Sequence, residues 1–427
     1  MRKMQINYKL KTTNYKHFLR TTQIKLITNR NFIFILLLII FSCNNPQNKS
    51  TDAKAKKINI AESKLRNHIK SFSDLNKAKW LDSLLESNYE KKVFNGAILI
   101  AENGHVIYKN AFGNTEFRKK EKLNTRTSFQ LASVSKIFTA IAVMMLEERK
   151  KINYDDDIKK YIRDFPYDGV TVRDLLNHRS GLQNYIYVAE NNRDRNLDFS
   201  NNDIMKLFAE NNIELEFKPE KRFKYCNTNY AILALLVEKV SKQSFGEFVK
   251  KNIFDVLEMN NSFVYNKSKF SSIKNYAIGY TRLKRGYGEE VHDYLDDIVG
   301  DKGVYSSVDD LYKFDCALCT DKLVKQSTLK EAFFPNKNSR KNCIKEYGFG
   351  WRLKFVDGGK IVYHFGWWRG YRTYYLKIFE DNITVISLNN RDNVCMNSLI
   401  IKIVKYLKNL KDEPDIDSNN EELSASQ

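Results

Sequence analysis

Ser128 to Met145 reads SFQLASVSKIFTAIAVMM and places a Ser and a Lys three residues apart, Ser133 and Lys136, where an apolar helical run begins. Positions i and i+3 share a helix face, so the amine can sit beside the hydroxyl. A serine hydroxyl is a weak nucleophile until a neighbouring base takes its proton, and a lysine does that only when neutral. Burial and the positive end of a helix both lower a lysine pKa toward that state. The N–H of Ser133 at the same helix start is a candidate oxyanion donor. The spacing alone is cheap, since it recurs at Ser271/Lys274 and Ser327/Lys330. Only the first copy opens a long apolar helix behind an apolar approach, Phe129, Leu131 and Ala132.

Two further clusters supply what a Ser–Lys pair needs. Tyr225-Cys226-Asn227 stands just before the apolar run Ala231 to Val237, where a Tyr and an Asn two apart can face one cleft. Tyr225 is the candidate proton relay and Asn227 the candidate holder of Lys136 and of a substrate amide. Downstream, His364-Phe365-Gly366 ends an expected strand and leads into Trp367-Trp368-Arg369-Gly370-Tyr371. Gly366 is expected to let a substrate backbone approach the strand edge, and the N–H of Trp367 to serve as the second oxyanion donor.

The order SVSK, YCN, HFG resembles the serine β-lactamase and penicillin-binding protein superfamily, nearest the branch of class C β-lactamases, D-alanyl-D-alanine carboxypeptidases and related esterases and D-peptidases. Accessory segments carry the same resemblance: FNGAILIAENGHVIYKNAFG, VRDLLNHRSGL, FKYCNTNYAILALLVEKVS, GDKGVYSSVDDLYKF, YGFGWRL and HFGWWRGYRT, over about Phe94 to Asp392. The resemblance implies Ser133 as acylated nucleophile, Lys136 as its partner and Tyr225 as general acid/base. It implies Asn227, His364, Gly366 and Trp367 as substrate-binding residues, and no cofactor or metal is expected. It departs at the third motif, where the family's Lys-Thr/Ser-Gly becomes His364-Phe365-Gly366. The hydroxyl is lost and only a titratable charge remains, which favours an esterase, amidase or D-amino-acid peptidase over an efficient β-lactamase. Arg369 or Arg372 is the candidate replacement clamp for a substrate carboxylate. A D-alanyl-D-alanine carboxypeptidase, a weak β-lactamase and a non-catalytic cell-wall or partner-binding descendant are the competing readings.

The fold expected is α/β (α+β), of the β-lactamase/transpeptidase type. Strands at both ends, from FNGAILIA and from KIVYHFG, YRTYYLKIF and ITVISLNN, enclose helical patterns from about residue 155 to 290. That order implies one antiparallel sheet completed by the two ends of the domain, with a mainly helical lobe inserted. Asn103-Gly104 marks a hairpin between the first two strands.

The flanks speak to location. Residues 1–30 hold eight Lys or Arg and no Asp or Glu, and Phe32 to Phe41 is an unbroken apolar run ending at Ser42-Cys43. Ten apolar residues suit a signal-peptide core and are too few to span a bilayer. Cys43 in that position resembles the lipidated cysteine of bacterial lipoproteins, with 1–43 as signal, 44–62 as polar tether, 63–411 as the catalytic domain and 412–427 as an acidic disordered tail. The formal charge is +20, of which eight lie in the leader. The remaining +12 is scattered among acids with no basic block, so a nucleic-acid groove is excluded and a membrane-tethered body acting on a small or peptide substrate is expected. Five cysteines follow Cys43, an odd number that argues against a disulfide framework, and Cys316-x-x-Cys319 reads as small buried hydrophobes. The six histidines show no metal-ligand spacing, and nothing in the sequence speaks to oligomeric state.

Overall fold

The computed structural model describes residues 74–409 apart from 193, 195, 196, 337–344 and 357–358, all within one unit of the chain, Phe72–Gln427. The signal segment, Cys43, the tether, the start of the domain, Cys343 and the acidic tail lie outside the described residues.

Alternating burial organises the main sheet. In β1 (Gly96–Glu102), Ala97, Leu99 and Ala101 enter one core while Ile98 and Ile100 enter another, as the two-residue period of a strand buried on both faces requires. The sheet also contains β2 (His105–Phe112), β3 (Lys345–Tyr347), β4 (Arg352–Val356), β5 (Gly359–Trp368), β6 (Tyr371–Ile378) and β7 (Ile383–Asn389). Their order is β3-β4-β5-β6-β7-β1-β2, every pair antiparallel. The N-terminal hairpin thus closes onto the last C-terminal strand, Gly96 opposite Asn389, as the sequence order implied. Asn103 and Gly104 both take positive φ, the signature of the expected hairpin turn.

One face of the sheet is covered by helices from the two ends of the domain. Helix α1 (residues 74–90) contributes Leu81 and Leu85, and α4 (Met396–Lys408) contributes Leu399, Ile400, Ile403 and Val404, against Ile361, Tyr363, Phe365 and Leu376. Trp80 stacks on Tyr406 at 3.7 Å, joining the two helices. The other face shares a core with α2 (Ser135–Glu148), which packs against α3 (Asn227–Ser241) of the inserted lobe. Helix α2 is buried continuously from Ser135 to Leu146, so its apolar positions do not form a stripe but fill the space all round.

Three expectations are corrected. The third-motif strand does not stop at Gly366: β5 continues through Trp368, and Arg369 and Gly370, both at positive φ, make the tight turn into β6. The segment YGFGWRLKFV forms two strands, β3 and β4, because positive φ at Gly350 breaks the extension. Cys316 and Cys319 are exposed, not buried. Cys316 lies in the last turn of the helix Val308–Ala317 and Cys319 just beyond it, and the helix's inward positions are held by Val308, Leu311 and Phe314.

Ile403 is fully buried between α4 and the sheet. Ile403→Ala is expected to cost about 2–4 kcal/mol of unfolding free energy, read from the midpoint of a urea titration with the slope unchanged.

Candidate active site

Ser133 lies in a 3₁₀ turn, Ala132–Val134, and α2 begins only at Ser135. The expected start of the helix is therefore preceded by a short tighter turn that carries Ser133, while Lys136 lies in the first turn of α2. Ala132 enters this turn with φ +50°, a conformation that costs a non-glycine residue roughly 1 kcal/mol or more. The turn is pinned by Leu131 N–H donating to Val304 O at 2.8 Å and by Thr373 Oγ1 donating to Leu131 O at 2.6 Å.

Lys136 is fully buried. Its Nζ lies 3.0 Å from Ser133 Oγ, 2.9 Å from Asn227 Oδ1 and 2.9 Å from the carbonyl oxygen of Asp301. A neutral amine has two N–H groups and one lone pair. The amide and peptide oxygens only accept, so they consume both N–H groups and leave the lone pair for the one partner that can donate, the Ser133 hydroxyl. The contacts that bury the lysine thus aim it as a base. One turn along α2, Thr139 Oγ1 donates to Gly300 O at 2.7 Å, so Lys136 and Thr139 together grip two successive carbonyls of one loop.

Asn227 is the first residue of α3, and Tyr225-Cys226 approaches it in extended conformation. The approach is fixed by the VRDLLNHRSGL segment: Cys226 N–H donates to His178 Nδ1 at 3.2 Å, and Lys224 N–H donates to His178 O at 2.9 Å. Asn229, held by Ser180 at 2.6 Å, meets the same imidazole nitrogen at 3.1 Å. Lys136 Nζ sits 5.0 Å from the centre of the Tyr225 ring, and Tyr225 is itself buried. Burial pushes the Cys226 thiol up to about 11, so it is an inert packing group.

The third motif behaves differently from expectation. His364 is buried; one ring nitrogen lies 2.7 Å from Phe365 O and the other 3.1 Å from Tyr347 OH. Burial, then the nearby Arg352 and Lys136 charges, drive its pKa well below the ordinary histidine value. It is a neutral structural ring and does not line the cleft, so the expected titratable charge is absent. Gly366 also faces the protein. A Cβ there would lie 2.3 Å from Leu131 O and 2.5 Å from Thr373 Oγ1, so the glycine admits the chain's own Ser133 turn, not a substrate backbone.

Trp367 meets the expectation better. In a two-residue hairpin the pair flanking the turn, Trp368 and Tyr371, is hydrogen-bonded, so the next pair, Trp367 and Arg372, is not. The Trp367 N–H therefore points away from β6. Strand β4 pairs with β5 only as far as Tyr363, leaving that edge open on the side of Ser133.

Ser133, Asn227, Trp367, Trp368, Arg369 and Tyr187 line a cleft of about 320 Å³. Arg369 is not available as a carboxylate clamp. It pairs with Asp293, and its guanidinium lies 3.9 Å from Glu290 and 4.0 Å from Asp296. Arg372, the other candidate, is buried and bonded to Asp392 at 2.7 Å. Glu190, Glu290, Asp301, Lys302 and Asp392 also face the cleft and were not singled out from sequence. Asp301 and Lys302 are neighbours on one loop and Glu190 lies in the helix Tyr185–Asn192, and none of the five has a spacing pattern to mark it. Lys302 is buried, donating to Tyr185 OH at 2.6 Å and Ile298 O at 3.1 Å, and burial lowers its pKa. Among the described residues, no group of His, Cys, Asp or Glu converges as a metal site.

The family described as Beta-lactamase matches residues 67–403. The chain belongs to the Beta-lactamase family. It is 38% identical over 328 residues to penicillin-binding protein 4* of Bacillus subtilis (strain 168), covering 74% of this chain and 72% of that one. It is 28% identical over 298 residues to the teichoic acid D-alanine hydrolase of Staphylococcus aureus (strain MRSA252), covering 66% and 71%. Among solved structures, the octameric penicillin-binding protein homologue from Pyrococcus abyssi superposes with a TM-score of 0.67 at 27% identity, over 79% of this chain and 78% of that chain. The Beta-lactamase family chain is thus a member of a serine hydrolase group related to penicillin-binding proteins.

His178 and His364 are both fully buried and both depressed, His178 by burial and then by Lys136 and Arg352. A depressed folded pKa means that the unfolded state binds protons first as pH falls. Stability is therefore expected to be flat above about pH 7 and to fall below about pH 6.5, by up to ~2.7 kcal/mol per pH unit for the two rings together. Thermal melts across pH 4.5 to 8 read this, and replacing His364 with Phe is expected to reduce the slope.

Proposed function

We propose that this chain is an exported, lipid-anchored serine hydrolase that cleaves an ester, an amide or a D-amino-acid peptide through an acyl-enzyme on Ser133. The observation that carries the reading is the buried Lys136 amine 3.0 Å from the Ser133 hydroxyl, with the acceptor oxygens of Asn227 and Asp301 each 2.9 Å from the same nitrogen, so that a neutral amine has its lone pair left for Ser133. Ser133 Oγ attacks the substrate carbonyl carbon while Lys136 Nζ accepts the hydroxyl proton. The developing oxyanion is received by the N–H groups of Ser133 and Trp367. The proton taken by Lys136 passes through Tyr225 to the leaving alcohol or amine, which restores the neutral amine. A water then attacks the acyl-Ser133 ester, its proton is taken by the same pair and handed to Ser133 Oγ, and the free acid leaves.

The substrate class is supported by what the cleft lacks. A cell-wall peptide or a β-lactam presents a carboxylate, and here His364 is neutral while Arg369 and Arg372 are already matched to carboxylates of the protein. An acyl donor without a carboxylate beside the scissile bond fits this lining, and the teichoic acid D-alanine hydrolase among this chain's relatives is named for a D-alanine substrate. The competing reading, a D-alanyl-D-alanine carboxypeptidase, draws on the 38% identity to a penicillin-binding protein. Anchoring and export rest on Phe32 to Cys43.

Intact-mass spectrometry after exposure to a fluorophosphonate is expected to show a single adduct that Ser133→Ala abolishes. A lasting penicilloyl adduct on the same serine would move the substrate to cell-wall peptides, and no adduct from either reagent would leave only a non-catalytic binder. For the anchor, the full-length protein expressed in a bacterial host is expected to partition into the detergent phase of a cloud-point extraction. Cys43→Ala is expected to return it to the aqueous phase.

A further inference from the structure

Tyr225 serves as a relay only if it gives up or shares its phenolic proton, and an unperturbed phenol holds that proton to about pH 10. The groups facing its ring decide how far below that it can go. From α2, Lys136 Nζ lies 5.0 Å from the ring centre. From β4, the Arg352 guanidinium carbon lies 4.9 Å from the same centre and 4.6 Å from the ring of Phe365. His178 stands 4.4 Å away, centre to centre, with Tyr347 at 6.1 Å and His364 at 6.2 Å. Tyr230 on α3 also interacts electrostatically with Tyr225.

Only two of these, Lys136 and Arg352, can carry positive charge. Both imidazoles are held neutral, chiefly by burial. Lys136 must be uncharged before it can act as the base for Ser133, so its charge comes and goes within the reaction, whereas a guanidinium stays charged throughout. Arg352 is 7% exposed, so its field at Tyr225 is weakly screened. Its place follows from register: β4 pairs Arg352 with Tyr363, one residue before His364, so the side chain is delivered next to the third motif from the neighbouring strand.

We propose that Arg352 is the electrostatic positioning residue for Tyr225, its guanidinium against the ring holding the deprotonated phenol and supplying from β4 the cation that His364-Phe365-Gly366 lacks. The inference rests on the proposed serine-hydrolase reading. Its sign is fixed: an opposite charge within about 4–6 Å lowers an acid's pKa by about 1–3 units, so removing the guanidinium raises the pKa of Tyr225.

The test is the pH dependence of the second-order rate of Ser133 labelling by a fluorophosphonate, with the melting temperature of each variant measured alongside. In Arg352→Met the ascending limb is expected to move to higher pH by about 1 unit or more, lowering the rate at pH 7 by about 10-fold or more. Arg352→Lys is expected to restore most of the wild-type profile. In a Tyr225→Phe background, Arg352→Met is expected to leave the profile where it was. Arg352→Gln carries the same expectation should the Met variant fail to fold. A folded Arg352→Met protein with the wild-type limb, or an equal shift in the Tyr225→Phe background, overturns the proposal. Ultraviolet titration of the phenolate, taken as the difference between the chain and its Tyr225→Phe variant, decides the same point without activity. A protein that takes no label but shows the Tyr225 titration shifted by Arg352→Met would sink the hydrolase reading and leave this one standing.

Discussion

A lysine amine with no contact to solvent has to be satisfied by the protein, and that requirement ties the molecule together. Lys136 reaches Ser133 on its own turn, Asn227 at the start of α3 and the carbonyl of Asp301 on the loop that leads to Val304. Three separate parts of the chain therefore have to arrive within 3 Å of one nitrogen. An unsatisfied buried amine would cost several kcal/mol, and so would a lone pair aimed at another acceptor. The lobe and the sheet are docked where they are because the core of α2 fixes Lys136 and the two partner segments are built to meet it. His178 holds the backbone before Asn227, and Thr139 holds the carbonyl before Asp301.

The sheet supplies the other half of the site through its register. Stopping β4 at Arg352 exposes the edge of β5 at Trp367, and the two-residue turn at Arg369-Gly370 sets which N–H groups of β5 face outward. The same register sends His364 inward to Tyr347 and Gly366 against the Ser133 turn. Two residues that looked like substrate ligands are thereby turned into the seat on which the nucleophile rests. The cations nearest the cleft are distributed in the same economical way: Arg369 and Arg372 hold walls together with Asp293 and Asp392, while Arg352 faces the Tyr225 ring.

The candidate site was legible to the extent that its residues sit in short segments with a chemical reason to be together. Ser133 and Lys136 are three apart, and Tyr225 and Asn227 are two apart at a helix start, so local geometry alone brings each pair to one face. The hairpin at Asn103-Gly104 and the closure of the sheet by its two ends were legible from strand order. His364 was misplaced because a His-x-Gly reads as a strand end, whereas side-chain direction depends on a register set by the β6 partner. Cys316 and Cys319 were misplaced because apolar character was taken as burial, while the helix they end turns Leu311 and Phe314 inward instead. Asp301 and Lys302 sit together in a segment that carried the family resemblance, but neither they nor Glu190 and Glu290 had a spacing that marked them as cleft residues.

By itself, then, the sequence determined the family, the layered α/β order and the four residues whose spacing encodes their contact, because helix and turn periodicities act over three or four residues. It also determined that charge is dispersed over the body, with no basic block. Only the tertiary structure decided which polar groups are spent inside the protein and which face the cleft. Whether a histidine is charged, whether an arginine is already matched to a carboxylate and whether a glycine admits a ligand or a neighbouring turn are set by burial and by strands far apart in the chain. Those long-range contacts have no period in the sequence, so they appear only when the sheet has closed.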